Sequence, residues 1–273
     1  GLRGKASDSD ERYVSSVSRS LGFDFVSKRM NRSRKTSYRP TEASLRSARL
    51  DFLFSAAKKY HIDKIALGHT LDDQAETVLM RLIRGSGLYG LISMLPKRQI
   101  DSFTIVRPLL GITRAEIEGY LRGKHLKPRI DTSNFRTIFL RNKIRHSILK
   151  ELVLLNPKIK YTLARFAEQA AIDYDFLFRQ ASAFVKKEKN GSIAIDVDSF
   201  VGLHEALQRM VIRVSLEKIS GSLRTFTHSH WEEIKELIKN RPRGSVVDLT
   251  KGIKVQKQRK KIVIYSAKYK IKS

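Results

Sequence analysis

The chain has 273 residues, and 54 Lys and Arg against 27 Asp and Glu give a net charge of +27 and a pI near 10.4. No apolar run approaches the ~18 residues of a membrane span and no segment resembles a surface anchor, so the charge points to nucleic acid rather than a membrane. The absence of cysteine excludes disulfide partners, thiolate zinc sites and thiol catalysis.

At ~100–200 residues per domain the length predicts two domains. The opening "GLRGKASDSDERY" is charged from its start, so it is no signal peptide. Lacking an initiator Met, it reads like the middle of a longer chain. "SDSDERYVSSVSRSLGF" predicts a helix capped by Ser7 or Ser9, with Tyr13, Val14, Val17 and Leu21 on one face. "FDFVSKRM" predicts a short strand. Lys28 to Pro40 holds six basic residues and no acid, the composition of a solvated loop or of a phosphate-facing one.

Thr41 is positioned to cap the next helix, "EASLRSARLDFLFSAAKKYH", which buries Leu45, Ala48, Phe52 and Ala56. "DKIALGH" predicts a buried strand, and a helix follows from Leu71. "FTIVRPLL" predicts another strand. "TRAEIEGYLRGKH" predicts a helix whose Thr113 and Glu116 form a capping box. "PRIDTSNFRTIFLRNKIRHSILKEL" predicts a loop entering a long basic helix. Strands and helices alternating in short units predict α/β architecture around a parallel sheet.

Past "LNPKI" the pattern changes, which places a domain boundary at 155/156. Residues 161–189 predict one long helix, "SIAIDVDSF" a strand and "LHEALQRMVIRVSLEKI" a helix. Ser229 and Glu232 have capping-box spacing for "HWEEIKELIKN". "SVVDLTKGIKVQKQRKKIVIYSA" predicts strands joined by a turn at Gly252 and by a basic tip.

The most informative stretch is "LGHTLDDQAETVLMRLIRGSGLYGL". Asp72 and Glu76 are four apart and Asp73 and Glu76 three apart, so the acids share a helical face. Leu71, Ala75, Val78, Leu79, Leu82 and Ile83 form the opposite stripe, which leaves the acids at the open end of a helix following a strand. In open α/β sheets ligands bind at that edge. A single acid there only complements the helix dipole, at ~0.3–1 kcal/mol. Three like charges in five residues repel unless a cation joins them, and Mg²⁺ bridging phosphates or a substrate ammonium is such a cation. Gly85 and Gly87 are placed to end the helix.

This stretch resembles the signature of the tRNA(Ile)-lysidine synthetases, a family of PP-loop ATP pyrophosphatases. "GLRGKASDSDE", "TEASLRSAR", "VRPLLGITRAEIEGYL" and "DTSN" with "RNKIR" resemble further blocks of that family, in order, through about residue 155. The rest resembles its helical and C-terminal region more loosely. The resemblance implies a parallel-sheet PP-loop domain of the adenine nucleotide alpha hydrolase type over 1–155. A smaller, mainly helical tRNA-binding region with a terminal β-hairpin would occupy 156–273.

It also implies an activity. ATP adenylates the wobble cytidine of tRNA(Ile), and L-lysine then displaces AMP, with Mg²⁺ as cofactor and the cytoplasm as location. Asp72, Asp73, Glu76, Arg46 and Arg49 would be catalytic, with Asp73 and Glu76 also metal ligands. His69, Arg81, Arg84, Arg141 and Arg145 would bind substrate, and Lys257, Arg259, Lys260 and Lys261 would hold tRNA phosphates. The family's Ser-Gly-Gly-x-Asp-Ser ATP loop is not found in these residues. The expectation is therefore an N-terminally incomplete copy, without its first two strands and, by comparison with longer members, without all or part of a further C-terminal domain. A tRNA thiolase is a rival disfavoured by the missing cysteines, and a non-catalytic tRNA-binding remnant is a rival of another class. Nothing in the sequence fixes an oligomeric state.

Overall fold

The computed structural model describes residues 5–29, 42–129, 140–188, 190–221 and 226–267. The helix cap expected at Thr41, most of the basic loop up to Pro40, and the "DTSN" block lie outside the described residues. The chain divides into residues 1–168 and 169–273, a break inside one long helix rather than at the change of sequence pattern near Asn156.

In the first unit, α1 is Lys5–Ser20. Ser7 and Ser9 lie within it rather than capping it, because helical backbone already begins at Lys5. Tyr13 Oη donates to the Lys127 carbonyl at 2.9 Å and Arg129 to the Ser9 carbonyl at 2.6 Å, tying α1 to a distant segment. Residues 23–29, expected as a strand, join no ladder. They are held by side chains instead: Arg29 pairs with Asp8 at 3.0 Å and Ser27 donates to Glu11.

Helix α2 (Glu42–Lys59) leads into β1 (Lys64–Ala66). Strand β1 runs parallel to β3 (Phe103–Val106), with Ile65 opposite Ile105, and both are buried. Strand β2 (Lys97–Ile100) pairs antiparallel on the far side of β3, through a tight turn with Asp101 at φ 49°. The sheet order is β1-β3-β2, so it is mixed. The sequence hid β2 because Lys97, Arg98 and Gln99 are all exposed and show no alternation.

Helix α3 (Leu71–Ile83) starts in a full capping box between Thr70 and Asp73. It ends in a Schellman turn, with Ser86 N–H donating to the Arg81 carbonyl at 3.0 Å and Gly85 N–H to Leu82 at 2.9 Å. Gly85 supplies the left-handed φ of 70° that this ending needs. Helix α4 (Leu88–Leu91) follows; a Cβ on Gly90 would lie 2.1 Å from Ser86 Cβ. Gln74 latches this loop, exchanging hydrogen bonds with the Met94 backbone at 3.0 and 3.1 Å and accepting Ser93 Oγ at 3.1 Å.

Helix α5 (Arg114–Gly123) begins in the expected Thr113–Glu116 capping box. Helix α6 (Leu140–Lys143) passes through a π turn, Ile144–Ile148, into α7 (Leu149–Leu155). The Leu149 N–H reaches the Ile144 carbonyl, five residues back. Ile144 and Leu149 are buried with Ala75 of α3, and Leu79, Met80, Ile148 and Leu163 pack around them. That apolar contact presses the π turn against α3. Leu163 belongs to α8 (Ile159–Ser182), which ends at Ser182 rather than near residue 189.

The second unit contains β4 (Ile193–Asp196), α9 (Val197–Val201), α10 (Glu205–Ser220) and α11 (His228–Lys239). Strands β5 (Val246–Leu249), β6 (Ile253–Lys257) and β7 (Lys261–Ser266) complete it. The expected hairpin is β6–β7, within an antiparallel sheet ordered β4-β7-β6-β5. Phe200, Ile212, Trp231, Ile234, Leu237, Ile262 and Ile264 form its core. The cap of α11 is Thr227 with His230 rather than Ser229 with Glu232, because Thr227 holds the extended backbone that a cap requires.

Candidate active site

The capping box of α3 fixes Asp73. One carboxylate oxygen, Oδ2, accepts Thr70 N–H and Thr70 Oγ1, each at 3.0 Å. The other, Oδ1, accepts Arg114 Nη2 at 3.1 Å and Arg141 Nη2 at 3.0 Å, and Arg145 Nη2 lies 3.5 Å away. One turn on, Glu76 accepts Arg145 Nε at 2.6 Å and Nη2 at 2.9 Å, and Arg141 Nε at 2.8 Å. Asp72 accepts Lys160 Nζ at 2.6 Å and the backbone N–H of Arg114 at 2.8 Å. Three carboxylates therefore face four cations.

The acids are not on an open face, as the sequence pattern predicted. Asp72 and Asp73 are 8% exposed and Glu76 is 0% exposed, whereas Leu82 and Ile83 of the supposed buried stripe are 44% and 54% exposed. The reason is the company they keep. The starts of α5 and α8 and the α6–π segment close over the first two turns of α3 and bring the arginines and Lys160 with them. Like-charge repulsion is thus relieved by the protein's own cations.

Burial pushes the Asp73 carboxyl up. The Thr70 hydrogen bonds and the Arg114 and Arg141 guanidinium groups outweigh it and hold the group below the usual carboxylate range. Burial likewise opposes charge on Arg145, but its bonds to Glu76 and the field of Asp73 and Asp72 raise it above its ordinary value. His69, just before the cap, is lowered to about 4 by burial and by Arg107, against the pull of Asp73, with Arg46 and Arg49 adding to the fall. Its Nδ1 is buried without a hydrogen-bond partner. Arg46 and Arg49 lie on the exposed side of α2, and their charge adds to the lowering at His69.

All the carboxylate oxygens of Asp73 and Glu76 are engaged by guanidinium or Thr70 donors, so the pair presents no ready set of metal ligands. Among the described residues no group of three or more His, Cys, Asp or Glu is arranged to hold a metal ion.

The structure gathers Asp72, Asp73, Glu76, Arg141 and Arg145, with His69 just before the cap of α3, while Arg46 and Arg49 stand exposed on α2. Arg81 and Arg84 are not in this group. Arg81 turns to the carbonyls of Gly90 and Ser93, and Arg84 is the exposed C-cap, ~18 Å along the helix from Asp72. Lys257, Arg259, Lys260 and Lys261 form the β6–β7 turn of the second unit. Lys257 Nζ is bonded to the Arg241 carbonyl at 2.8 Å, and the other three are exposed. Sequence reasoning missed Arg114, Lys160 and Arg107. Arg114 carried a signal, since it is the first residue after a capping-box threonine; Lys160 carried none.

Parallel strands β1 and β3, with the start of α3 at their carboxyl edge, define an α/β domain. Residues 1–152 match the family model of the PP-loop domain, and the chain belongs to that family. The chain is 32% identical over 270 residues to a tRNA(Ile)-lysidine synthase of Clostridioides difficile, covering 96% of this chain and 58% of that one. It is 34% identical over 261 residues to a tRNA(Ile)-lysidine synthase of Clostridium perfringens, covering 92% and 54%. The chain therefore spans just over half the length of these curated relatives. A solved U34-tRNA thiolase from Methanococcus maripaludis overlays at a TM-score of 0.49 and 21% identity, covering 62% of this chain and 58% of that one.

Proposed function

We propose that the chain is part of an ATP-dependent ligase that joins L-lysine to the wobble cytidine of tRNA(Ile). ATP adenylates the base and releases pyrophosphate; the lysine amine then displaces AMP and yields lysidine. The observation that carries this reading is the 32% identity along 96% of the chain to a relative of that name. The geometry adds one point: carboxylates that hold cations are gathered at the start of α3, where Arg114, Arg141, Arg145 and Lys160 now fill them.

In this reading Asp73 and Glu76 receive the lysine ammonium in exchange for guanidinium groups of Arg141 and Arg145, which occupy their oxygens in the unliganded chain. Arg46 and Arg49 neutralise phosphate or carboxylate near His69, which stays uncharged at neutral pH. Mg²⁺ held by the ATP phosphates would supply neutralisation of their charge. Residues 1–155 carry the chemistry and 156–273 hold tRNA, with the β6–β7 turn against its phosphates. Arg81 and Arg84 act away from the chemistry. The surroundings are cytoplasmic, where tRNA, ATP and lysine coexist.

The test is incorporation of labelled L-lysine into a tRNA(Ile) transcript by the full-length protein. Label should enter only with ATP, and exchange of the wobble cytidine for uridine should abolish it. Absence of label in the complete mixture overturns the reading.

A further inference from the structure

Lys160 is the second residue of α8, and its ammonium reaches Asp72 Oδ1 at 2.6 Å. The start of α8 does not depend on that contact. Asn156 accepts the Lys158 N–H on Oδ1 and the Ile159 N–H on its carbonyl, each at 2.9 Å. Tyr161 donates to Glu116 of α5, and Leu163 packs against the buried Ala75, Ile144 and Leu149. Asp72 is likewise held a second time, because Oδ2 accepts the Arg114 N–H at 2.8 Å. Helix and acid would therefore keep their places if the ammonium left.

The four cations of the cluster are not held alike. Arg141 bridges Asp73 and Glu76, and Arg145 grips both oxygens of Glu76. Arg114 gives a side-chain donor to Asp73 and its backbone N–H to Asp72. Among the described residues Lys160 Nζ makes a single hydrogen bond. Its side chain is 30% exposed, against 21% for Arg141 and 18% for Arg145. A guanidinium is a rigid fork matched to carboxylates, whereas an ammonium is a strongly hydrated point charge on a flexible stem. Lys160 is thus the cation that exchanges most readily. The charge count favours the same exchange. Three acids already face four cations, so an additional ammonium would meet surplus positive charge, and one that replaces Lys160 leaves the balance as it was.

We propose that Lys160 is a built-in competitor of an amine substrate: its ammonium occupies Asp72, and an entering ammonium displaces it there before any guanidinium leaves Asp73 or Glu76. Lys160 thereby sets how tightly an amine binds, and it keeps Asp72 filled when no amine is present. The like-for-like swap needs no rearrangement of the arginines, and Arg114 N–H keeps Asp72 aimed while the occupant changes. That the entering amine is L-lysine rests on the function proposed above; the exchange at Asp72 rests on the geometry alone.

Calorimetric titration of the full-length protein with L-lysine, and with cadaverine, its decarboxylated counterpart, tests the exchange. Lys160→Gln removes the competitor and should bind both amines about five- to thirtyfold more tightly, the factor expected for one contact between charged neighbours. Unchanged or weaker binding of either amine overturns the proposal. A lysine that only fastened α8 would give that opposite sign, because its loss would loosen the site. Lys160→Arg keeps the charge and adds a fork, so it should bind both amines more weakly than the parent; equal or tighter binding overturns the proposal. Lys158→Gln removes an exposed positive charge two residues away and should leave both affinities unchanged. A gain there equal to that of Lys160→Gln overturns displacement in favour of a general field effect. Should Lys160→Gln not fold, Lys160→Arg decides by its own criterion. Tighter amine binding in a protein that makes no lysidine would refute the proposed reaction and leave the exchange standing. Lysidine formed with unaltered amine affinity in Lys160→Gln would refute the exchange and keep the reaction.

Discussion

Arg145 holds Glu76 by both ends of its fork, Nε on Oε1 at 2.6 Å and Nη2 on Oε2 at 2.9 Å. This bidentate geometry is the strongest that a side-chain ion pair offers. Its acid has no exposed surface, and Arg141 shares the second oxygen at 2.8 Å. The pairing therefore belongs to the fold as well as to the candidate chemistry.

Glu76→Gln should consequently destabilise the first unit by ~3–5 kcal/mol, the usual cost of stripping one partner from a buried pair. Two guanidinium groups would be left facing a neutral amide. Urea unfolding followed by far-UV circular dichroism checks this. Trp231 fluorescence should be nearly unaffected, because that residue lies in the second unit. A midpoint unchanged for the whole far-UV signal would show that the pair contributes nothing.

Asp72 and Lys160 lie 88 positions apart in the chain and meet at 2.6 Å. A double-mutant cycle with Asp72→Asn and Lys160→Met should return a coupling of ~1–2 kcal/mol, within the range for contacting residues. Additive single effects would mean that the contact is incidental.

Acid sensitivity follows from two groups with opposite chemistry. Asp73 keeps its charge in the folded chain below its ordinary range, so its stabilising contribution is full above about pH 4 and fades as pH falls through the depressed folded value. His69 titrates at about 4 when folded against 6.5 when free. Between those values the unfolded chain binds the extra proton, so acidification through that window favours unfolding, with no further change below it. Imidazole NMR, with the His69 resonance assigned by its loss in His69→Gln, should show a midpoint near 4. A midpoint between 6 and 7 would contradict the buried, arginine-flanked environment.

The β6–β7 turn offers three exposed cations, Arg259, Lys260 and Lys261, beside a Lys257 tethered to the Arg241 carbonyl. Replacing all four with Gln should weaken binding to every tRNA alike. It should also flatten the dependence of log affinity on log salt by about 0.7–0.9 per lost phosphate contact. Preference among tRNAs should not change, because phosphates carry no sequence. Filter binding across a salt series decides: an unchanged slope leaves the turn as a solvated tip, and altered preference shows that it reads bases.

How far the sequence could go depended on range. The capping box at Thr113, the helix end at Gly85 and the turn at Gly252 rest on a few adjacent residues and were legible. So was the crowding of Asp72, Asp73 and Glu76. Their burial was not, because it depends on Arg141, Arg145 and Lys160, which lie 65 or more positions away from the acids that they meet. Helical periodicity describes one helix at a time and cannot register a neighbour folding over its tip. Strand β2 was hidden for another reason, since an edge strand with polar residues on both faces has no pattern to read.

The π turn at Ile144–Ile148 has a consequence for heredity as much as for geometry. It holds one residue more than an α-helical path would need, and that residue sets the rotational phase of everything after it. Removing a single residue there would turn the following helix by ~100°. Leu149 would swing out of its place beside Ala75, and Arg145 would no longer share a carboxylate with Arg141. Point substitutions on this segment change one contact apiece, whereas a one-codon deletion slips the whole gear by a tooth. The segment should therefore tolerate exchange of letters far better than any change in their number.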